Sequence, residues 1–160
     1  MPLINGIQVP DWQDTAREVV KHLGITLSSE QADIFYDDAR IKILCGGEGS
    51  SKSFMGALYG AARSQHDAMA ASLLNVGFGN LYWVVGHDFE TARREFGSVE
   101  MDDMLLPWIR SLGDLNSDRT SAPARYDQPC VLQTKRYQQV FRTISGYDAQ
   151  KIGREEPTGI

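Results

Sequence analysis

Apolar residues near the start of the chain fall on one helical face: Trp12, Ala16, Val19, Val20 and Leu23 recur at intervals of three and four. Asp11 stands where an N-cap belongs and Gly24 where a helix stops. A second helix is predicted at once, because Ser28 and Gln31 have the S-x-x-Q spacing of a capping box ahead of ADIFYDDA. The pattern then changes. Ile41 to Cys45, IKILC, is a short β-branched and apolar run that predicts the first strand, and it leads into GGEGSSKS. The following KSFMGALYGAARSQ predicts a helix with small and apolar residues along one side.

Farther on, Leu81 to His87 reads LYWVVGH, the continuous hydrophobicity of a strand covered on both faces, as parallel strands are. Asp88 is placed to cap a helix over FETARREF, and MLLPWIRSL from Met104 predicts a short helix with Pro107 in its first turn. The polar stretch SLGDLNSDRTSAPARYDQP is a loop. Val131 to Thr134 and Gln139 to Ile144 then pair as a hairpin around KRYQ. Helices alternating with buried strands predict an α/β layered domain with a largely parallel sheet. Residues 1–27 form a helical lead-in segment and 28–160 the α/β domain.

Composition narrows this only a little. The 160 residues are 42% hydrophobic and 23% charged, ordinary values for a globular chain long enough to bury a core. There is no run of about 18 apolar residues, and MPLINGIQVPDWQD has neither a basic nor an apolar leader region. A soluble, non-secreted protein is expected. A formal net charge of -5 excludes binding nucleic acid by overall charge, although it leaves room for a local basic patch. Cys45 and Cys130 have no metal-ligand spacing and are expected to be buried free thiols; His22, His66 and His87 form no ligand pattern either.

The chemistry is concentrated in one place. Gly46-Gly47-Glu48-Gly49-Ser50-Ser51-Lys52-Ser53 matches G-x-x-x-x-G-K-[ST] at every fixed position but one, where Ser51 replaces the second glycine. Glycines let a chain wrap backbone N–H groups around phosphate oxygens, and the helix beginning near Ser51 directs its positive end at the same anion. Lys52 would reach the β- and γ-phosphates of a nucleotide. Ser53 would offer its hydroxyl to Mg²⁺. Ser51 is compatible with that role if its backbone is helical, since serine is acceptable where a helix opens. The plainer alternative is a tight strand-to-helix turn with Lys52 in solvent. The strand before the loop and the helix after it are the context that favours nucleotide binding.

With the loop in place, the order Gln31, Arg40 and Lys42, then GG-x-GS-x-KS resembles the large terminase subunits of tailed phages. YWVVGHDFETARREF is similar to the second strand and helix of that ATPase domain, and TISGYDAQKIGREEPTGI to the stretch leading into its acidic Walker B strand. The resemblance runs from about Ser28 to Ile160. It implies a P-loop NTPase fold of the ASCE-like class, incomplete at the C-terminus, with ATP and Mg²⁺ as ligands. It also implies Gln31 as the adenine contact, Gly46, Gly47, Gly49, Ser50, Ser51, Lys52 and Ser53 around the phosphates, and Lys52 as the catalytic lysine. Double-stranded DNA, a portal protein, a small terminase subunit and a ring of copies are the implied partners, in the host cytoplasm during phage assembly. Gln31 has a competing role in the capping box.

Two departures qualify the implied activity. Many large terminases carry an arginine inside the loop, and here Glu48 stands at that place, so a charge-stabilising arginine must come from elsewhere. Arg93 and Arg94 are candidates, with a solvated helix face as their plainer role. The family's apolar strand ending in Asp-Glu is also missing before Ile160, since Glu155 and Glu156 lack the preceding apolar run; its nuclease domain is missing too. The chain is therefore expected to bind ATP and to hydrolyse it poorly. The alternatives are another P-loop ATPase, such as a helicase-like enzyme, and a module whose loop no longer binds nucleotide.

Overall fold

A computed structural model describes residues 3–74, 81–86, 108–109, 111–112, 131–133 and 140–145. The chain begins with a small antiparallel hairpin, strands β1 (Leu3–Ile4) and β2 (Ile7–Gln8), with Leu3 opposite Gln8 and Ile4 opposite Ile7. Asn5 and Gly6 make its turn, at φ of 50° and 77°. Both left-handed angles are what a two-residue turn of the I′ type requires, and Asn-Gly is the pair that adopts them most easily.

Helix α1 (Trp12–Leu23) and helix α2 (Ser29–Tyr36) form where the apolar spacing and the caps predict. Asp11 occupies the N-cap with its carbonyl accepting from Thr15 N, while its side chain makes no capping bond. Gly24 closes α1 in the left-handed conformation, at φ 66°. The capping box of α2 is present in both directions: Gln31 N donates to Ser28 Oγ at 3.2 Å, and Ser28 N donates to Gln31 Oε1 at 2.9 Å.

Helix α3 (Lys52–Leu73) is 22 residues long, hence about 33 Å at 1.5 Å per residue. Its buried side is small and apolar, through Met55, Ala57, Leu58, Ala61, Ala62 and Ala68. The alanines let α1 approach closely, and Trp12, Ala16, Val19 and Val20 pack with Phe35, Met55, Leu58 and Ala62 into one core. Trp12 organises that core. Its ring meets those of Phe35, Tyr59 and His66 edge to face at 5.8, 5.2 and 5.9 Å, and its indole N–H donates to the Phe35 carbonyl at 3.1 Å. Beyond α3, Trp108, Ile109 and Ser111 are helical, as the short helix predicts. Trp108 stands edge-on to Phe54 at 5.3 Å, and the His22 Nε2–H donates to the Ser111 carbonyl at 2.8 Å.

The sheet has three strands among the described residues: β3 (Leu81–Gly86), β4 (Val131–Gln133) and β5 (Val140–Ser145), in the order β3-β5-β4. β3 runs parallel to β5, from Leu81 opposite Val140 to Gly86 opposite Ser145, and β4 runs antiparallel to β5 as the expected hairpin does. The fold is thus mixed helix and sheet. β3 is not covered on both faces as its unbroken hydrophobicity predicts, because Trp83 and Val85 are 42% and 52% exposed while Tyr82 and Val84 are half-buried.

A larger correction concerns the segment before the glycine-rich loop. Ile41 to Cys45 does not form the predicted strand, and no strand among the described residues feeds the loop; the largely parallel sheet built around it is not present there. Burial nevertheless alternates with period two, Lys42 and Leu44 facing the helices while Ile41 and Ile43 are 77% and 82% exposed. The residues have the side-chain pattern of a strand without a ladder. A strand's backbone bonds come from a neighbour, so local apolar preference alone cannot supply them. The helix expected over FETARREF, the polar loop after Leu112, and His87, Cys130, Glu155 and Glu156 lie outside the described residues.

Candidate functional site

The loop from Gly46 to Ser53 sits at the N-terminal end of α3, where the first backbone N–H groups of a helix have no partner within it. Three backbone features shape it. Gly49 lies at φ 76°, Ser51 at φ 61° and ψ 22°, and Ser50 N donates to the Gly47 carbonyl at 3.3 Å. Ser51 is thus left-handed and not helical, so the condition under which serine suits this position is not met. A residue with a Cβ is strained there by about 1–2 kcal/mol, a cost that glycine would not carry. Met55 N donates to the Ser51 carbonyl at 2.9 Å and starts the helix.

Gly46 is constrained for a different reason. A Cβ on it would lie 2.5 Å from Ser50 Oγ and 3.0 Å from Ser50 Cβ, so the Ser50 side chain occupies the space that a larger residue would need. Gly47 has nothing within 4 Å of its Cβ position, and no packing in this conformation demands glycine there.

Lys52 is exposed, and its side chain turns back over the loop. Its Nζ donates to the carbonyls of Gly46 and Gly47 at 2.7 and 2.6 Å and to Ser50 Oγ at 3.0 Å. The ammonium is aimed inward, and what converges on it is oxygen. Ser53 follows directly, in the first turn of α3.

Beside the loop lies an open cavity of about 210 Å³ between α2, α3 and the 41–45 segment. Ile34, Phe35, Leu44 and Met55 supply apolar wall, Tyr59 an aromatic one, and Arg40, Lys42 and Lys52 its positive charge. In the sequence Arg40 and Lys42 stand out only through the resemblance, and Tyr59 does not stand out at all. The signal was present in the spacing, since Met55 and Tyr59 are one helical turn apart on the side of α3 that lines the cavity.

Lys42 is held as a structural cation. Its Nζ donates to the Phe35 carbonyl at 3.2 Å and sits 4.6 Å from the Tyr59 ring and 5.5 Å from the Trp12 ring. Burial, with the nearby Arg63 charge, lowers its pKa below the ordinary lysine value against the opposing pull of Asp37 and Asp38. Gln31, the expected base contact, has its amide oxygen committed to the capping box and does not line the cavity. Arg93 and Arg94 lie outside the described residues.

Cys45 is exposed, against the expectation of a buried thiol, because the alternation of the 41–45 segment puts it on the outer face with Ile41 and Ile43. Among the described residues no group of three or more His, Cys, Asp or Glu is placed to hold a metal ion, and no helix is long and apolar enough to cross a membrane. Compared with protein-family profiles, with curated proteins and with solved structures, the chain matches none.

Proposed function

We propose that the Gly46–Ser53 loop binds the phosphates of a nucleotide, ATP with Mg²⁺, as part of a DNA-packaging ATPase of the large terminase kind. The observation that carries this reading is the loop itself: a glycine-rich turn with left-handed Gly49 at the start of a long helix, with the Lys52 ammonium folded back over it. The positive end of α3 favours an anion at that point. Lys52 would engage the β- and γ-phosphates as a point charge, and Ser53 would hold Mg²⁺, which keeps its other positions for water and phosphate oxygen. Lys52 is the catalytic residue in this reading, since stabilising charge on the transferred phosphoryl is the main task of such a site.

Coupling to DNA movement, and partners in the form of double-stranded DNA, a portal, a small terminase subunit and further copies in a ring, belong to the same proposal and rest on the sequence resemblance. A helicase-like ATPase shares the loop and would share its ligands. A competing reading, a loop that no longer binds nucleotide, draws on Ser51 in a glycine's conformation and on Lys52 donating to the loop's own carbonyls.

Titration calorimetry with Mg·ATP separates these. Micromolar binding that disappears in Lys52→Ala is the expected result, and an absence of binding by the native chain would sink the proposal. Turnover is expected to be slow with Glu48 where an arginine would stabilise the phosphoryl charge, and brisk hydrolysis abolished by Lys52→Ala would show that this charge is supplied elsewhere.

A further inference from the structure

A second cavity lies on another face of α3, away from the glycine-rich loop. Met55 and Tyr59 line the first cavity, Gln65 and Met69 the second. At 3.6 residues per turn the two pairs point roughly a quarter of a turn apart and lie about 15 Å apart along the helix. The second cavity opens between α1, α3 and the helical residues beside Ser111 and measures about 270 Å³, space for on the order of nine waters. Val19, Met69 and Leu112 form its apolar wall. Beside that wall Gln65 Oε1 is closed off from solvent and has no hydrogen-bond partner, although a buried oxygen of this kind is normally bonded. We infer that this cavity binds a small organic cation with N–H donors, of the alkylammonium class, held between Glu18 and Gln65.

The polar groups of the cavity set the sign of the ligand. Glu18 brings a carboxylate. The His22 Nε2–H is spent on the Ser111 carbonyl at 2.8 Å, so in the neutral ring Nδ1 is left as an acceptor. Thr15 likewise spends its hydroxyl proton on the Asp11 carbonyl at 3.5 Å. The Gln65 amide brings donors as well, but the atom without a partner is its oxygen. Among the described lining residues there is no lysine, no arginine and no residue of the Gly46–Ser53 loop, so the inference stands apart from the nucleotide reading. Acceptors with one negative charge are complementary to a positively charged donor, and the apolar wall suits a short alkyl chain. The terminal torsion of a glutamine is broad, so a turn of the Gln65 amide brings its oxygen to a ligand N–H.

Titration of the native chain with small probes, followed by the ¹H–¹³C signal of the Met69 methyl group, tests this. n-Butylammonium has charge, N–H donors and an alkyl chain. Tetramethylammonium has the charge without the donors, and n-butanol has the chain without the charge. The expected result is millimolar or tighter binding of n-butylammonium, with the other two weaker by about tenfold or more. Equal binding of tetramethylammonium means that no donor is read, and equal binding of n-butanol that no charge is. Either result overturns the proposal, as does an absence of n-butylammonium binding.

Gln65→Leu and Glu18→Gln carry the second arm. Each is expected to weaken n-butylammonium binding roughly tenfold. Gln65→Leu should also keep or raise the thermal midpoint, because it removes the orphaned oxygen, so its loss of binding is distinguished from a loss of fold. Glu18 is exposed, and replacing it leaves the core untouched, which keeps the test decisive if Gln65→Leu does not fold. Unchanged affinity in either folded variant overturns the proposal.

Discussion

The Tyr82 hydroxyl donates to the Asp67 carboxylate at 2.7 Å, which ties the first strand of the sheet to the side of α3. Arg63 Nε lies 3.3 Å from the other carboxylate oxygen, and the His66 ring shares that oxygen at 3.5 Å. The His66 Nε2–H donates to the Pro10 carbonyl at 3.0 Å and so adds the start of α1 to the cluster. Three parts of the fold meet on one carboxylate.

Burial pushes the Asp67 carboxyl up, but hydrogen bonds from His66 and Tyr82 with the charges of Arg63 and His66 outweigh it and leave the pKa below the ordinary value of 3.8. Its contribution to stability is therefore complete above the unfolded value and fades as pH falls through the lower folded one. Tyr82→Phe is expected to cost about 1–2 kcal/mol at neutral pH, measured by urea denaturation. The difference between native and variant should shrink below about pH 3.8. A gap that widens in acid would rule out this account of the carboxylate.

Ser51→Gly should stabilise the fold. Removing the Cβ relieves the left-handed strain, while the added freedom of the unfolded chain offsets part of the gain. A net increase of roughly 0.5–1 kcal/mol is expected, read as a higher thermal midpoint. Ser51→Val should lower it, because a β-branched residue tolerates positive φ least.

At the other end of the core, Trp12→Ala is expected to cost about 3–5 kcal/mol in a denaturant titration. The change removes three edge-to-face ring contacts and leaves the Phe35 carbonyl without its indole donor. Trp12→Phe should recover much of the packing and none of the hydrogen bond. A loss below about 1 kcal/mol in Trp12→Ala would mean that this ring is not the centre of the core.

The capping box makes a prediction about Gln31 that separates its two proposed roles. Ser28→Ala and Gln31→Ala should each lower stability by about 0.5–1 kcal/mol through fraying of α2. With Mg·ATP as titrant, Gln31→Ala should leave affinity within about twofold of Ser28→Ala. A selective loss of affinity in Gln31→Ala, with Ser28→Ala unaffected, would return the base contact to Gln31.

Much of the helical half was legible in the chain because its signals are local. Trp12, Ala16, Val19, Val20 and Leu23 define a face within one helix, and Gly24 and the Ser28–Gln31 pair act within a few residues of themselves. Asn5-Gly6 is equally local and equally legible. The predicted strand at Ile41 to Cys45 fails for the complementary reason. Its residues alternate in burial as a strand does, but a ladder depends on a neighbour that nothing within five residues specifies.

The candidate site divides in the same way. Its residue types, from Gly46 to Ser53, were readable from spacing, because each role in a phosphate loop belongs to a fixed position along the backbone. The left-handed angle at Ser51, the return of Lys52 onto its own loop and the aromatic box around Lys42 were not. They depend on where Trp12, Phe35 and Tyr59 come together and on how the turn closes. Periodicity and capping act over one or two turns of chain and are therefore written in sequence order. Ladders, cation boxes and the resting position of a lysine are set by contacts between residues far apart, so only the folded chain decides them.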